Sequence, residues 1–402
     1  MGSTDVREGE DPAEAPASDP AVAEAVRFDR WDALAGAAVA LGLWAFALGP
    51  HDVGVHDPAI YLEMAADPLG EIPLSPFCFR IGAPFLAAAL PLPNDLAFIA
   101  LTWVGLVGTI LVVRRTTTAI AGRARGLAAA GLVGGSAAVL TAVRTPYATE
   151  PLSLLACAAS AEFARRRRWE MAGICLLGGT LVREGTLVVL LPLLVWCLRT
   201  EPDVRTRAKS AGLLALPGLA VYLLLHKTPL LYGVVLSERF QPPSEIWAWN
   251  VRTPGGFGRY LVAVALGSLG LLWPLLPRAV RPIRGRGPIA FAATGVLIMV
   301  PLAAATATVS DWGRVLAFGI VGVAPAVAAT APQRLLAPLA ATQLAIGALV
   351  LADRTWIAVA VAAVAVVAWW LERRSRRGRP SEDQADGSFD QLASTAARVR
   401  TP

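Results

Sequence analysis

Charge is scarce in this chain of 402 residues. Asp, Glu, Lys and Arg make up 16% of it, against 55% hydrophobic residues, and the mean hydropathy is +0.55. A soluble domain cannot hide that much apolar surface, so the expected class is a polytopic membrane protein. Cysteine is scarcer still, with four in all. Cys157, Cys175 and Cys197 fall in apolar runs and only Cys78 is expected outside them, which excludes a disulfide framework. The first residues, 1–30, are acidic, rich in Ala and Pro, and lack an apolar core. No cleavable signal peptide is expected there. Neither a fixed-period repeat nor a match between halves is visible, although transporters often show one. The apolar runs are also poor in ionisable residues at mid-depth, where ion-coupled transporters usually carry some. The net charge of +6 reflects arginine-rich loops and does not suggest nucleic-acid binding.

What remains is a series of apolar runs, about twelve of them long enough to be transmembrane helices. The expected spans are 31–50, 95–113, 126–143, 149–164, 169–182, 184–198, 210–226, 258–277, 288–307, 314–331, 336–352 and 355–371. Five basic stretches test this count. They are Arg114/Arg115/Arg123/Arg125, Arg165–Arg168, Arg199/Arg205/Arg207/Lys209, Arg278/Arg281/Arg284/Arg286 and Arg373–Arg379. All five share one side if both termini are cytoplasmic, as the positive-inside rule requires. The fold class expected is therefore an all-α bundle in the plasma membrane. Residues 1–30 form a disordered tail, 31–372 the transmembrane domain and 373–402 a basic disordered tail. Nearly every Asp and Glu between the first and last spans then falls on the outer face.

Two outer loops are long, 51–94 and 227–257. Within the first, the run Pro76-Phe77-Cys78-Phe79-Arg80-Ile81 leads into an apolar segment, 77–92. Counting it as a span would break the parity, so an interfacial or re-entrant helix is expected there. The pair 169–182 and 184–198 is unusually short. Each limb is about 21 Å of helix against a hydrocarbon core of about 30 Å. Its tip, Leu181-Val182-Arg183-Glu184-Gly185, would place an arginine and a glutamate below the interface, which is costly unless they pair or line a watery cavity.

The outer face carries most of the chemistry. His51-Asp52-Val53-Gly54-Val55-His56-Asp57-Pro58 offers two carboxylates and two imidazoles in one stretch, with Tyr61 following on a short helix capped near Asp57. A carboxylate there can act as a general base or help bind a divalent cation. His51 and His56 match no specific metal spacing, and a solvated loop with a helix cap explains them equally. Arg80, among phenylalanines, reads either as a snorkelling interfacial arginine or as a phosphate clamp. Arg144 lies on the outer side against the charge bias, and Glu150 is its nearest candidate partner. Asp311 and Arg314 fall one turn apart and suit a local salt bridge.

These residues also carry a resemblance. Asp57-Pro58-x-x-Tyr61-Leu62-x-Met64-Ala65, followed by Pro76-Phe77-x-Phe79-Arg80-Ile81-x-x-Pro84, resembles the first outer loop of bacterial relatives of the GT-C glycosyltransferases. Arg144-x-Pro146 with Glu150-Pro151, Val182-Arg183-Glu184 and Asp311-Trp312-x-Arg314 are similar to later motifs of those proteins. The similarity runs over about residues 30–330. It implies a polytopic enzyme with an outward-facing site that transfers a sugar from a polyprenyl-phosphate carrier. An acidic residue of the first outer loop would serve as catalyst. That residue would be Asp57, with Asp52 second. The substrate-binding set would be Tyr61, Arg80, Arg144, Glu150, Arg183, Glu184, Asp311 and Arg314. The adjacent acidic pair of several GT-C families is missing.

The chemistry fits these residue types independently. Transfer needs the acceptor hydroxyl deprotonated and the departing phosphate stabilised, tasks for a carboxylate and for arginines. The competing expectation is a transporter or flippase that uses the same arginines to hold a phosphate-bearing lipid or solute.

Overall fold

The computed structural model describes residues 56–68, 70, 79–144, 149–231, 257–285, 287–305, 312–352 and 357–367, and these are helical throughout apart from turns. In chain order the α-helices are α1 (His56–Ala66), α2 (Gly82–Ala89), α3 (Asn94–Ala121), α4 (Arg123–Gly134), α5 (Ala137–Arg144), α6 (Glu150–Arg165), α7 (Trp169–Val182) and α8 (Leu190–Thr200). They continue as α9 (Val204–Leu231), α10 (Phe257–Ser268), α11 (Leu276–Val280), α12 (Pro288–Thr294), α13 (Met299–Ala305), α14 (Trp312–Ala317), α15 (Ile320–Thr330), α16 (Gln333–Leu351) and α17 (Ile357–Val367). Among the described residues three helical runs are long and apolar enough to cross a membrane: Asn94–Ala121, Val204–Lys227 and Pro288–Ala305. The all-α class expected from composition holds, and the expected first span, 31–50, lies outside the described residues.

Several expected spans are not single helices. The run 126–143 is broken between α4 and α5 at Gly135-Ser136, where Ser136 Oγ accepts the N–H of Val139 at 3.4 Å and caps α5. The run 258–277 breaks after Leu269. Gly270 takes φ +53, open to glycine at little cost, and Gly270–Leu275 continues as 3-10 helix up to Pro274 and beyond. Hydropathy averages over such breaks, because a glycine or proline turn between apolar residues leaves the mean unchanged.

The first basic stretch also differs from expectation. Arg114 and Arg115 sit inside α3, which runs eight residues beyond the expected end at 113. Only Gly122 separates α3 from α4. At the start of α9, Asp203 is the cap: its Oδ1 accepts the Thr206 N–H at 2.9 Å and its Oδ2 the Thr206 hydroxyl at 2.8 Å. The backbone hydrogen bond from Thr206 holds the Asp203 carboxyl below its usual range.

Packed neighbours form the frame: α3 packs on α4 and α6, α6 on α7, and α7 on α9, with α3 and α6 running parallel, as do α7 and α9. The main core runs through them and on into α12 and α15, with Leu132, Leu176, Leu214, Leu272 and Ile320 fully buried. A second, smaller cluster lies at the end away from the arginine-rich turns. There Tyr61 and Ala65 of α1 meet Ala83 and Ala87 of α2, Ala97 and Phe98 of α3, and Val182 of α7. This satellite cluster positions the candidate site.

Candidate functional site

The site is built around the place where α7 stops. Arg183 leaves the helix with φ −163 and ψ 130, and Glu184–Val189 follows as a 3-10 turn before α8. The turn is tied to α6. Ser153 Oγ and Thr186 Oγ1 lie 2.6 Å apart, and both residues are fully buried. The expected half-length hairpin is therefore present, with its tip pinned rather than loose.

Gly82 seats the first-loop segment on this tip. A Cβ at position 82 would lie 2.8 Å from the Leu181 carbonyl carbon and 2.9 Å from the Val182 nitrogen. Only glycine permits that approach without a shift in one backbone. Two residues earlier, Arg80 reaches Glu184. Arg80 Nη2 donates to Glu184 Oε1 at 2.7 Å and Arg80 Nε to Glu184 Oε2 at 3.1 Å, a bidentate pair. A third donor, Nη1, reaches the Tyr61 hydroxyl at 3.2 Å. The Arg80 side chain is 9% exposed and that of Glu184 30%, so the pair is accessible from the glutamate side.

A second pair adjoins the first along the chain. Arg183 Nη1 donates to Glu150 Oε1, and also to Thr149 Oγ1 at 3.4 Å. Both partners are more deeply buried than Glu184, at 9% and 11% side-chain exposure. The Arg183 guanidinium further lies 5.6 Å from the centre of the Phe318 ring. Glu150, expected as the nearest candidate partner of Arg144, is held by Arg183. Arg144 is the last residue of α5, and its side chain is outside the described set. α6 begins at Glu150 beside the end of α7, so the hairpin tip reaches that carboxylate.

The remaining expected residues are placed by backbone alone or not at all. Asp57 and His56 open α1, and position 57 lies one helical turn before Tyr61. Arg314 lies in α14, four residues before Phe318. His51, Asp52 and Asp311 lie outside the described residues. Among the described residues no group of three or more His, Cys, Asp and Glu is arranged to hold a metal ion.

One residue at this end was missed from sequence. His226, near the end of α9, stacks on Phe79 with ring centroids 4.1 Å apart and planes 5° off parallel. Its Nδ1 lies 3.0 Å from the Tyr222 carbonyl oxygen, one turn back, and the Tyr222 ring lies 4.0 Å away. A carbonyl oxygen can only accept, so Nδ1 is the donor in this contact. The available signal was its rarity: the chain has three histidines, and this one ends an apolar helix.

The opposite, arginine-rich end is organised differently. Arg125 Nη1 donates to the carbonyls of Ala328 and, at closer range, Ala329, and Arg278 Nε to that of Thr330 at 2.9 Å. Together they satisfy the C-terminus of α15. Arg199 does the same for Ile283 and Gly285. Glu162, near the end of α6, gathers Arg165 at 2.8 Å, Arg166 at 2.6 Å and the Thr116 hydroxyl at 2.9 Å. Glu201 accepts the Trp169 indole N–H at 2.9 Å. The acidic residues are thus less one-sided than expected, because Glu162, Glu201 and Asp203 all serve this end.

Set against known proteins, the chain matches no family model, no curated protein and no solved structure.

Proposed function

We propose that this chain is a membrane glycosyltransferase of GT-C type. It moves a sugar from a polyprenyl-phosphate carrier to an acceptor on the outer face of the plasma membrane, with both termini cytoplasmic. The observation that carries the reading is the pair of buried arginines, Arg80 and Arg183, at the tip of a hairpin too short to span a bilayer. Each is held by a carboxylate. A lipid-borne phosphate approaches from the membrane at that depth, and guanidinium forks match phosphate oxygens as well as carboxylate oxygens.

In the proposed reaction the phosphate of the carrier displaces Glu184 from Arg80, the more exposed of the two pairs. Arg183 supports the same charge from the adjoining position. A carboxylate of the first outer loop, Asp57 with Asp52 as second choice, takes the proton of the acceptor hydroxyl. The acceptor oxygen forms a bond to the anomeric carbon while the bond from that carbon to the phosphate oxygen breaks. Polyprenyl phosphate leaves with both electrons of that bond, and the configuration inverts. The arginines stabilise the charge that grows on the leaving phosphate. Tyr61 positions Arg80 through its hydroxyl.

The test is a transfer assay in membranes containing a polyprenyl-phosphate sugar. Asp57→Asn keeps the size of the side chain but removes the proton acceptor. It is expected to keep expression normal and to cut transfer by about a hundredfold or more, on the order of 3 kcal/mol of barrier. Full transfer by a variant lacking both aspartates contradicts this mechanism. Retention of carrier binding with no transfer in the wild type supports a flippase acting on the same phosphate-bearing lipid.

A further inference from the structure

A mostly apolar cavity lies at the arginine-rich end, away from the hairpin tip. With a volume of about 290 Å³, it opens between the 3-10 turn before α11, the start of α16 and α17. Leu271, Leu275, Leu335, Leu339 and Val366 form its wall, and Arg278 stands at one end. The volume is close to the lower limit of small-molecule pockets, which bury mostly apolar ligands fixed by a few polar groups. Apolar walls with one cation at the mouth fit an amphiphile whose charged end is an anion.

The surrounding charge is of one sign. Arg278, Arg281 and Arg284 are exposed on the chain that enters the cavity, and Arg334 is exposed on the first turn of α16 beside Leu335. From Phe257 to Ala352 the chain contains a single acidic residue, Asp311. Among the described residues Arg278 is engaged through Nε by the Thr330 carbonyl. That bond ties a guanidinium that lines the cavity to the end of α15.

We infer that this cavity is a binding site for one anionic phospholipid of the inner leaflet. An acyl chain lies between α11, α16 and α17, and the phosphate rests on Arg278 with Arg281 nearby. The cytoplasmic leaflet carries the anionic lipids, and each basic residue near that surface contributes about 1 kcal/mol of attraction, or about fivefold in affinity. A free phosphate would gain nothing from the apolar wall, so the occupant is the lipid. This site does not depend on the reaction proposed for the hairpin tip.

The experiment uses the full chain, stripped of lipid in detergent and titrated with phosphatidylglycerol or phosphatidylcholine of identical acyl chains, with native mass spectrometry as the readout. One phosphatidylglycerol should be retained per chain, at least fivefold more tightly than phosphatidylcholine. Arg278→Gln should reduce that preference about fivefold. Because Arg278 also caps α15, a second variant is needed. Leu335→Trp fills the cavity without touching the cap, and it should abolish retention of both lipids while leaving the melting temperature within a few degrees. Glycerol 3-phosphate in large excess should not displace the bound lipid. Equal retention of the two lipids, retention unchanged in Leu335→Trp, or displacement by glycerol 3-phosphate would each overturn the inference.

Discussion

Arginine is used in two ways at the two ends of this molecule. At the arginine-rich end Arg125, Arg199 and Arg278 donate to backbone carbonyls at helix C-termini. Those carbonyls have no other partner within their helices, so the contacts are permanent parts of the fold. At the hairpin tip Arg80 and Arg183 are bound instead to carboxylates, Glu184 and Glu150. A carboxylate can be exchanged for another oxyanion without leaving a backbone group unsatisfied. The same side chain is thus a cap in Arg125, Arg199 and Arg278 and a candidate anion receptor at the buried hairpin tip, while Arg165 and Arg166 share Glu162 in more exposed positions.

The largest effect should come from breaking the most buried pair. Arg183→Ala leaves the Glu150 carboxylate in an apolar setting and should lower stability by about 3–5 kcal/mol. Equilibrium unfolding in mixed micelles measures it. Arg183→Ala combined with Glu150→Ala should cost less than Arg183→Ala alone, since no charge is then stranded. Additive losses would mean that the two side chains act separately.

Next comes Glu162→Ala at the arginine-rich end. It removes charge-assisted bonds from Arg165 and Arg166 and should cost about 2 kcal/mol by the same unfolding measurement. Its effect should shrink in high salt, because its partners are partly exposed at 22% and 27%. The Arg183 effect should not. Equal salt dependence would erase the contrast between the two ends.

The hairpin was legible in the sequence because two fourteen-residue apolar limbs around Arg183-Glu184 cannot be reconciled with a bilayer's thickness. The first-loop helix was legible from Asp57-Pro58 and the apolar positions after it. The pairing was not legible. Arg80 and Glu184 lie 104 residues apart, and nothing local distinguishes Glu184 from Glu150 as a partner. That choice is made where Gly82 lets α2 settle on the end of α7. His226 was hidden by its apolar neighbours, and Glu162 by its place near the end of an expected span. Of the residues expected to bind substrate, Tyr61, Arg80 and Glu184 meet in one group and Arg183 and Glu150 in another.

A smaller effect is expected at Arg167, which adopts φ +55 in the turn after α6. Its N–H bonds to the Ala164 carbonyl at 3.0 Å and that of Arg168 to Phe163 at 2.9 Å, the pattern of a helix stop that favours glycine. Arg167→Gly should therefore raise stability by about 1 kcal/mol, and a loss of stability would show that the arginine side chain matters more than the backbone strain.

The most direct measurement is the binding of a polyprenyl phosphate to the full chain in nanodiscs, compared across Arg80→Gln, Arg183→Gln and Arg125→Gln. The account predicts that the two hairpin variants each weaken binding tenfold or more, about 1.4 kcal/mol, while Arg125→Gln leaves it unchanged. Binding that is indifferent to Arg80 and Arg183, or equally sensitive to Arg125, would contradict it.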